Sequence, residues 1–285
     1  MIDLKKIQEE KPIEGLINFS ILNVDKPTEH TSFDVVARIR GIFNTKRVGH
    51  FGTLDPKVTG VLPICLNKAC KLSEFFMHHD KEYIGKMSIH KEISRAKLEK
   101  EMEKFIGKIT QKPPVKSSVK RVERERTVNK FRIKDIDGKV VGFHCDVEAG
   151  TYIRKLIHDL GEGIGGAHMI KLVRVRAGLF NIKQSHTIEE IQKAYSLWKK
   201  KGDESELRKM LIPAEIITKI YPPVQVKEEL VQSLLNGKPL IEEDIDLKEI
   251  EDSDIFVIFN KDKFIGMYGK VDQEKIIAKP KMVFS

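Results

Sequence analysis

The 285-residue chain has only three cysteines, Cys65, Cys70 and Cys145, and none stands in a CxxC pair. That spacing argues against a thiolate metal site and against a disulfide-stapled secreted fold, and it fits a reducing compartment. No apolar run reaches the roughly 18–20 residues that span a bilayer. The N-terminus, Met1-Ile2-Asp3-Leu4-Lys5-Lys6, lacks the apolar core of a signal peptide. The expectation is a soluble, cytoplasmic protein without a membrane partner. There is no internal repeat and no low-complexity tract. Nine histidines and 42 acidic residues are present, yet no cluster has metal-ligand spacing, so neither a metal nor a cofactor is expected.

Apolar residues make up 40% of the chain and charged residues 33%. That is enough for a packed core under a heavily charged surface, with room for one large domain and a small one. The formal net charge is +9, and it is unevenly placed. Residues 224–285 hold 9 Lys/Arg against 13 Asp/Glu, so the first 223 residues carry a net +13. A polyanionic partner would therefore sit mainly on the first part.

Residues 1–16 are polar and read as a loosely held extension. Leu16-Ile17-Asn18-Phe19 and Ile21-Leu22-Asn23-Val24 read as short strands. Thr31 or Ser32 caps a helix with Phe33, Val36, Ile39 and Phe43 on one face. Val61–Leu66 and Tyr83–Ile89 read as strands, and Ser94 caps a charged helix to about Phe105. Between 108 and 134 stand ten basic residues against Glu123 and Glu125. Pro113-Pro114 forbids a helix there, so a loop leads into a strand from about Arg126 to Ile136. Asp137-Gly138 signals a hairpin turn with a return strand over Val140–Glu148. Gly150-Thr151 opens a helix that Gly161 ends. Further helices are expected near 187–199, 204–210 and 227–235, and strands at 255–259, 263–268 and 275–278. Tyr221-Pro222-Pro223 is the best boundary, proline-rich and at the charge switch.

Four segments narrow the function. They are Asn23-Val24-Asp25-Lys26-Pro27 with Thr31-Ser32; Gly49-His50-Phe51-Gly52-Thr53-Leu54-Asp55-Pro56 running on to Leu62; Lys81-Glu82-Tyr83; and Gly150-Thr151-Tyr152-Ile153-Arg154-Lys155-Leu156 running on to Gly161, with Gly165-Gly166-Ala167-His168 after it. In this order they resemble the TruB/dyskerin family of pseudouridine synthases over roughly residues 17–218. Residues 223–285 resemble the PUA domain that often follows. The implied fold is α+β: a mixed, mainly antiparallel sheet with flanking helices over 17–220, then a small β-rich PUA-like domain.

The resemblance implies an enzyme that isomerises uridine in RNA to pseudouridine. It places the catalytic carboxylate on Asp55, its arginine partner on Arg154 and the base-stacking tyrosine on Tyr83. A base inside a stack is out of reach, so it must flip out onto such a face. His50, Leu156 and Lys26 are the substrate-binding candidates. The basic run 111–126 corresponds to a mobile RNA-binding loop, with Lys116, Lys120 and Arg121 suited to phosphate. Each residue also has a plainer reading. Asp before Pro is a frequent turn former; Tyr83 fits a half-buried strand, Leu156 a core and Arg154 a charged surface.

The basic run resembles the archaeal, dyskerin-type branch, which works inside H/ACA ribonucleoproteins. The implied partners are a guide RNA, target rRNA or tRNA, and H/ACA core proteins, among them a zinc-ribbon protein, a loop-binding protein and a kink-turn RNA-binding protein. A stand-alone enzyme acting on the tRNA T-loop is the alternative of the same chemistry. A non-catalytic RNA-binding assembly scaffold is the alternative of another class. The acidic run Glu242-Glu243-Asp244-Ile245-Asp246 repels phosphate and departs from an RNA-gripping C-terminal domain.

Overall fold

The computed structural model describes residues 2–113, 120–250 and 252–284. Two short helices, α1 (Leu4–Glu10) and α2 (Ile13–Asn18), precede strand β1 (Ser20–Lys26). Helix α3 (Ser32–Phe43) leads to β2 (Val48–His50) and β3 (Thr59–Leu66). Then come α4 (Ser73–Met77), β4 (Lys81–Ile89), α5 (Arg95–Glu103) and β5 (Gly107–Gln111). A long hairpin, β6 (Arg124–Asp137) and β7 (Val140–Val147), is followed by α6 (Ile153–Ile164), β8 (Ala167–Ala177) and β9 (Phe180–Asn181). Helices α7 (Ile188–Lys201) and α8 (Ser205–Met210) lead into β10 (Leu211–Pro213). The last segment holds β11 (Pro223–Gln225), α9 (Glu228–Leu235), β12 (Ile255–Asn260), β13 (Lys263–Gln273) and β14 (Ile276–Val283).

The larger sheet runs β10-β1-β3-β8-β4-β7-β6-β5, with β2 beside β3 and β9 beside β8. Its pairs are antiparallel except β3 with β8. That parallel ladder is only two residues long, Thr59 opposite Val173 and Gly60 opposite Arg174. The sheet therefore has a seam between a β10-β1-β3 half and a β8-β4-β7-β6-β5 half. Gly60 sits at the seam with φ +99°, and a Cβ there would lie 2.3 Å from the Arg174 carbonyl oxygen. Only glycine accommodates both conditions.

Most of the expected helices and strands are present among the described residues, and four readings change. Leu16-Ile17-Asn18 is not a strand but the end of α2, because Ile13 and Leu16 share the buried side at helical spacing. Residues 2–16, the described part of that extension, are not loosely held: Ile7, Ile13 and Leu16 are buried, and the Gln8 side chain donates to the Arg208 and Leu211 carbonyls. Scattered apolar residues within a polar segment produce that packing. Phe33 does not share the buried face of α3; it is 68% exposed, and Val35 is buried instead. Thr31 is the cap, with Asp34 completing a capping box, so the buried stripe starts out of phase with the expectation. Helix α6 runs through Gly161 and ends at Gly165 in the left-handed region. Gly161 is there for a close approach, since a Cβ would meet the Ala167 nitrogen at 2.5 Å.

The smaller sheet runs β11-β12-β13-β14, parallel only between the first two strands. The two sheets share a core in which Phe19, Phe51 and Phe76 cluster with Val257, Phe259, Phe264 and Met267. No described helix is long and apolar enough to cross a membrane.

Candidate active site

Asp55 lies in the loop between β2 and β3, on the first half of the sheet. Ser32, the first residue of α3, pins this loop from behind: its Oγ accepts from the Leu54 N–H at 2.8 Å and donates to the Leu54 carbonyl at 3.2 Å. The Asp55 carbonyl accepts from the Val58 N–H at 3.0 Å and closes the Pro56-Lys57 turn. With both neighbours of the carboxylate fixed, the Asp55 side chain points outward and is half exposed.

Arg154 meets it from the second half, in the first turn of α6. Its Nη2 donates to Asp55 Oδ2 in an ion pair that is also half exposed. The start of α6 is itself held by Gln111, whose side chain accepts from the Tyr152 N–H at 2.9 Å and donates to the Tyr152 carbonyl at 3.3 Å. An anion at a helix N-terminus is favoured by the helix dipole as well as by the guanidinium.

Tyr83, in β4, is buried. Burial raises the pKa of its hydroxyl, and the nearby Arg174 guanidinium pulls it back; Asp55 acts on it too. His50, at the end of β2, is half-buried, and its buried Nδ1 has no hydrogen-bond partner among the described residues. Burial and then Arg174 lower its pKa, so the imidazole is neutral near pH 7. Asp55 and Arg154 thus pair across the seam, and Arg174 acts on both Tyr83 and His50 beside them.

The other candidates fall elsewhere. Lys26 was expected to touch substrate, but it is 0% exposed. Its ammonium donates to the carbonyls of Pro27 at 2.8 Å, His30 at 2.6 Å and Pro56 at 3.0 Å. An ammonium has three donors, so none remains for a ligand, and Lys26 instead ties the turn after β1 to the residue following Asp55. Leu156 lies fully buried in the core under α6 and presents no open surface. Lys120 and Arg121 are exposed, and Arg121 Nε donates to the Pro113 carbonyl at 3.1 Å, closing the neck of the basic loop. Lys116 lies outside the described residues.

Two buried cations at the site had no role assigned from sequence. Arg174 is 1% exposed and donates to the Val61 carbonyl at 2.7 Å and the Gly52 carbonyl at 3.0 Å. Lys81, 5% exposed, donates to the Met77 and His79 carbonyls; burial, then the nearby Arg174, bring its pKa down to about 8. The signal for Arg174 was its register: it stands two residues after the core residue Leu172 in a strand, where the inward side repeats every second residue. Among the described residues one set of potential metal ligands comes together, His158, Asp159 and Glu162 on α6. His158 and Glu162 are exposed, and Asp159 is engaged by Lys155.

Residues 40–153 match the family model of the TruB family pseudouridylate synthase N-terminal domain, and residues 154–218 that of the tRNA pseudouridylate synthase B C-terminal domain. The chain belongs to the TruB family. It is a pseudouridine synthase, an enzyme that isomerises uridine in RNA. The non-catalytic scaffold is thereby set aside. Asp55 and Tyr83 fall within the first TruB match and Arg154 opens the second. Among relatives, the chain is 40% identical to the "Probable tRNA pseudouridine synthase B" of Methanopyrus kandleri, over 88% of this chain and 75% of that protein. It is 42% identical to the protein of the same name in Korarchaeum cryptofilum, over 81% of this chain and 72% of that one. Among solved structures, it is similar to a chain of a Cbf5-Nop10-Gar1 complex with TM-score 0.88 and 36% identity, covering 98% of this chain and 88% of that one. A chain from an H/ACA RNP bound to a substrate RNA containing 2'-deoxyuridine gives TM-score 0.86 and 33% identity, over 98% and 89%.

Proposed function

We propose that Asp55 is the catalytic carboxylate, that Arg154 pairs with it and aims it, and that Tyr83 stacks on the flipped uracil. The observation that carries this reading is the Arg154–Asp55 ion pair, half exposed and within electrostatic reach of Tyr83. Pseudouridine formation breaks the bond between the sugar and nitrogen one of uracil, turns the base, and joins the sugar to carbon five. The hydrogen of carbon five then leaves as a proton. A carboxylate starts this by acting as nucleophile or as base. The ion pair supplies such a group, open to a ligand on one side and charge-paired on the other. His50, neutral and partly unpartnered, is placed to order the RNA beside the flipped base.

Residues 17–220 would then form the catalytic domain and 223–285 a PUA-like RNA-binding domain. We read the enzyme as the catalytic subunit of a guide-dependent H/ACA ribonucleoprotein that acts on rRNA and tRNA with H/ACA core proteins. The support is likeness over nearly the whole chain to proteins solved in complexes of that kind. The names of the sequence relatives favour a second reading, a stand-alone tRNA enzyme. Release of tritium from carbon five of uridine separates the two. Guided action predicts release only when guide RNA and core proteins are added. Full release from a tRNA transcript by the protein alone would replace guided action with the stand-alone reading.

A further inference from the structure

The proposed acid and the proposed stacking ring come from opposite sides of the sheet's seam. Asp55 follows β2 in the β10-β1-β3 half, and Tyr83 belongs to β4 in the other half. Between the halves the backbone ladder is two residues long, and it ends at Gly60 and Arg174. Such a short parallel ladder is a weak way to fix the distance between two reacting groups.

The Arg174 side chain continues the connection past the end of that ladder. Its Nε donates to Val61, the next residue along β3, and its Nη2 donates to Gly52 in the Asp55 loop. On its own side of the seam the guanidinium lies near enough to the Tyr83 hydroxyl to act on its ionisation. Backbone pairing puts Arg174 directly opposite Tyr83 across β4 and β8. One planar fork therefore reaches three segments. A guanidinium has five donors in a rigid plane, whereas an ammonium is a compact point charge on a flexible stem.

Its setting favours work beyond packing. Among the described residues no carboxylate forms an ion pair with Arg174, although it is 1% exposed. A buried cation without a carboxylate partner is a costly way to fill space, and apolar side chains would fill it at less cost.

We propose that Arg174 is a positioning residue, whose buried guanidinium locks the Asp55 loop and the Tyr83 ring into one unit across the seam. This rests on the reading of Asp55 and Tyr83 given above. Arg154 pairs with Asp55 at the surface of the seam, while Arg174 sets the spacing beneath it. Displacement of reacting groups by about 1 Å costs on the order of 100-fold in rate, so the effect should appear in the chemical step and not in RNA binding.

The test is single-turnover tritium release by Arg174→Lys under the conditions, free or reconstituted, in which the wild type turns over. The expected result is a rate about 100-fold lower with unchanged RNA affinity. Combined with Tyr83→Phe, it should be no slower than the slower single variant, because both break the same unit. A wild-type rate per folded molecule, with only the melting temperature lowered, would overturn the proposal; so would effects that multiply in the double variant. Should Arg174→Lys fail to fold by circular dichroism, Arg174→Gln, which keeps one donor group, takes the same measurements. Asp55→Asn separates the two levels. If it stays active, the site reading fails together with this inference. If it is inactive while Arg174→Lys is fully active, this inference alone fails.

Discussion

The site has two populations of cations, one beneath it and one beside it, and they obey different physics. Lys26, Lys81 and Arg174 lie under the Asp55 loop, almost fully buried, with their donors directed at backbone carbonyls. Lys120 and Arg121 stand at the neck of the basic loop, exposed. The buried group fixes the protein to itself. The exposed group is free to exchange water and counterions for phosphate. The same residue types therefore predict loss of stability in one region and loss of RNA affinity in the other.

The largest expected effect lies between the two populations, at the acid they serve. Asp55→Asn should lower tritium release at least about 1000-fold, within the range for a lost catalytic acid or base. Its half-exposed ion pair contributes about 1 kcal/mol or less to stability, so the melting temperature should hardly move. A folded Asp55→Asn enzyme with near-normal turnover would remove the acid from the centre of the comparison.

Next comes Lys26→Met, which tests the buried population directly. Three carbonyls lose a charged donor, and relief from burying an ammonium offsets part of that loss. A net destabilisation of about 2–3 kcal/mol in urea unfolding is expected, with slower turnover because the residue after Asp55 is no longer tied down. If stability holds and only RNA affinity falls, Lys26 belongs with the exposed cations.

Lys81 sharpens the comparison through pH. Its folded-state pKa of about 8 lies below the ordinary 10.5. Between those values the unfolded chain binds more protons than the folded one, so this group makes stability rise as pH rises through that window. Burial lowers the pKa of Lys26 as well, which gives the same sign. The slope attributable to Lys81 approaches about 1.4 kcal/mol per pH unit, and Lys81→Met should lose it. Equal slopes in wild type and variant would place Lys81 in effective contact with water.

How far the sequence reveals this division is instructive. The resemblance carried by the four motifs pointed to Asp55, Arg154 and Tyr83; in the structure Arg154 pairs with Asp55, and Asp55 acts electrostatically on Tyr83. Most strands and helices followed from periodicity and caps. Lys26 was read as a ligand contact, since a lysine in a motif gives no sign of which way its ammonium points. Arg174 was passed over for the converse reason: in Leu172-Val173-Arg174-Val175-Arg176 the alternation puts both arginines on the face of Leu172, and that only Arg174 is almost fully buried there depends on what distant segments pack against it. The packing of residues 2–16 was hidden in the same way, since their partners, Arg208 and Leu211, are some 200 residues away.

The smallest effect is the one most specific to the exposed population. Lys120→Ala and Arg121→Ala should leave urea unfolding unchanged, because neither residue is buried and surface substitutions away from such features stay within about 0.5 kcal/mol. RNA binding should weaken, and the way it weakens is diagnostic. For each phosphate no longer neutralised, the slope of log affinity against log salt falls by about 0.7 to 0.9. Misfolding of the variant would weaken binding at every salt concentration and leave the slope alone. A basic loop that merely solvates the surface would change neither quantity. Unchanged affinity with an unchanged slope would therefore move Lys120 and Arg121 out of the RNA interface and leave the buried cations as the functional ones at this site.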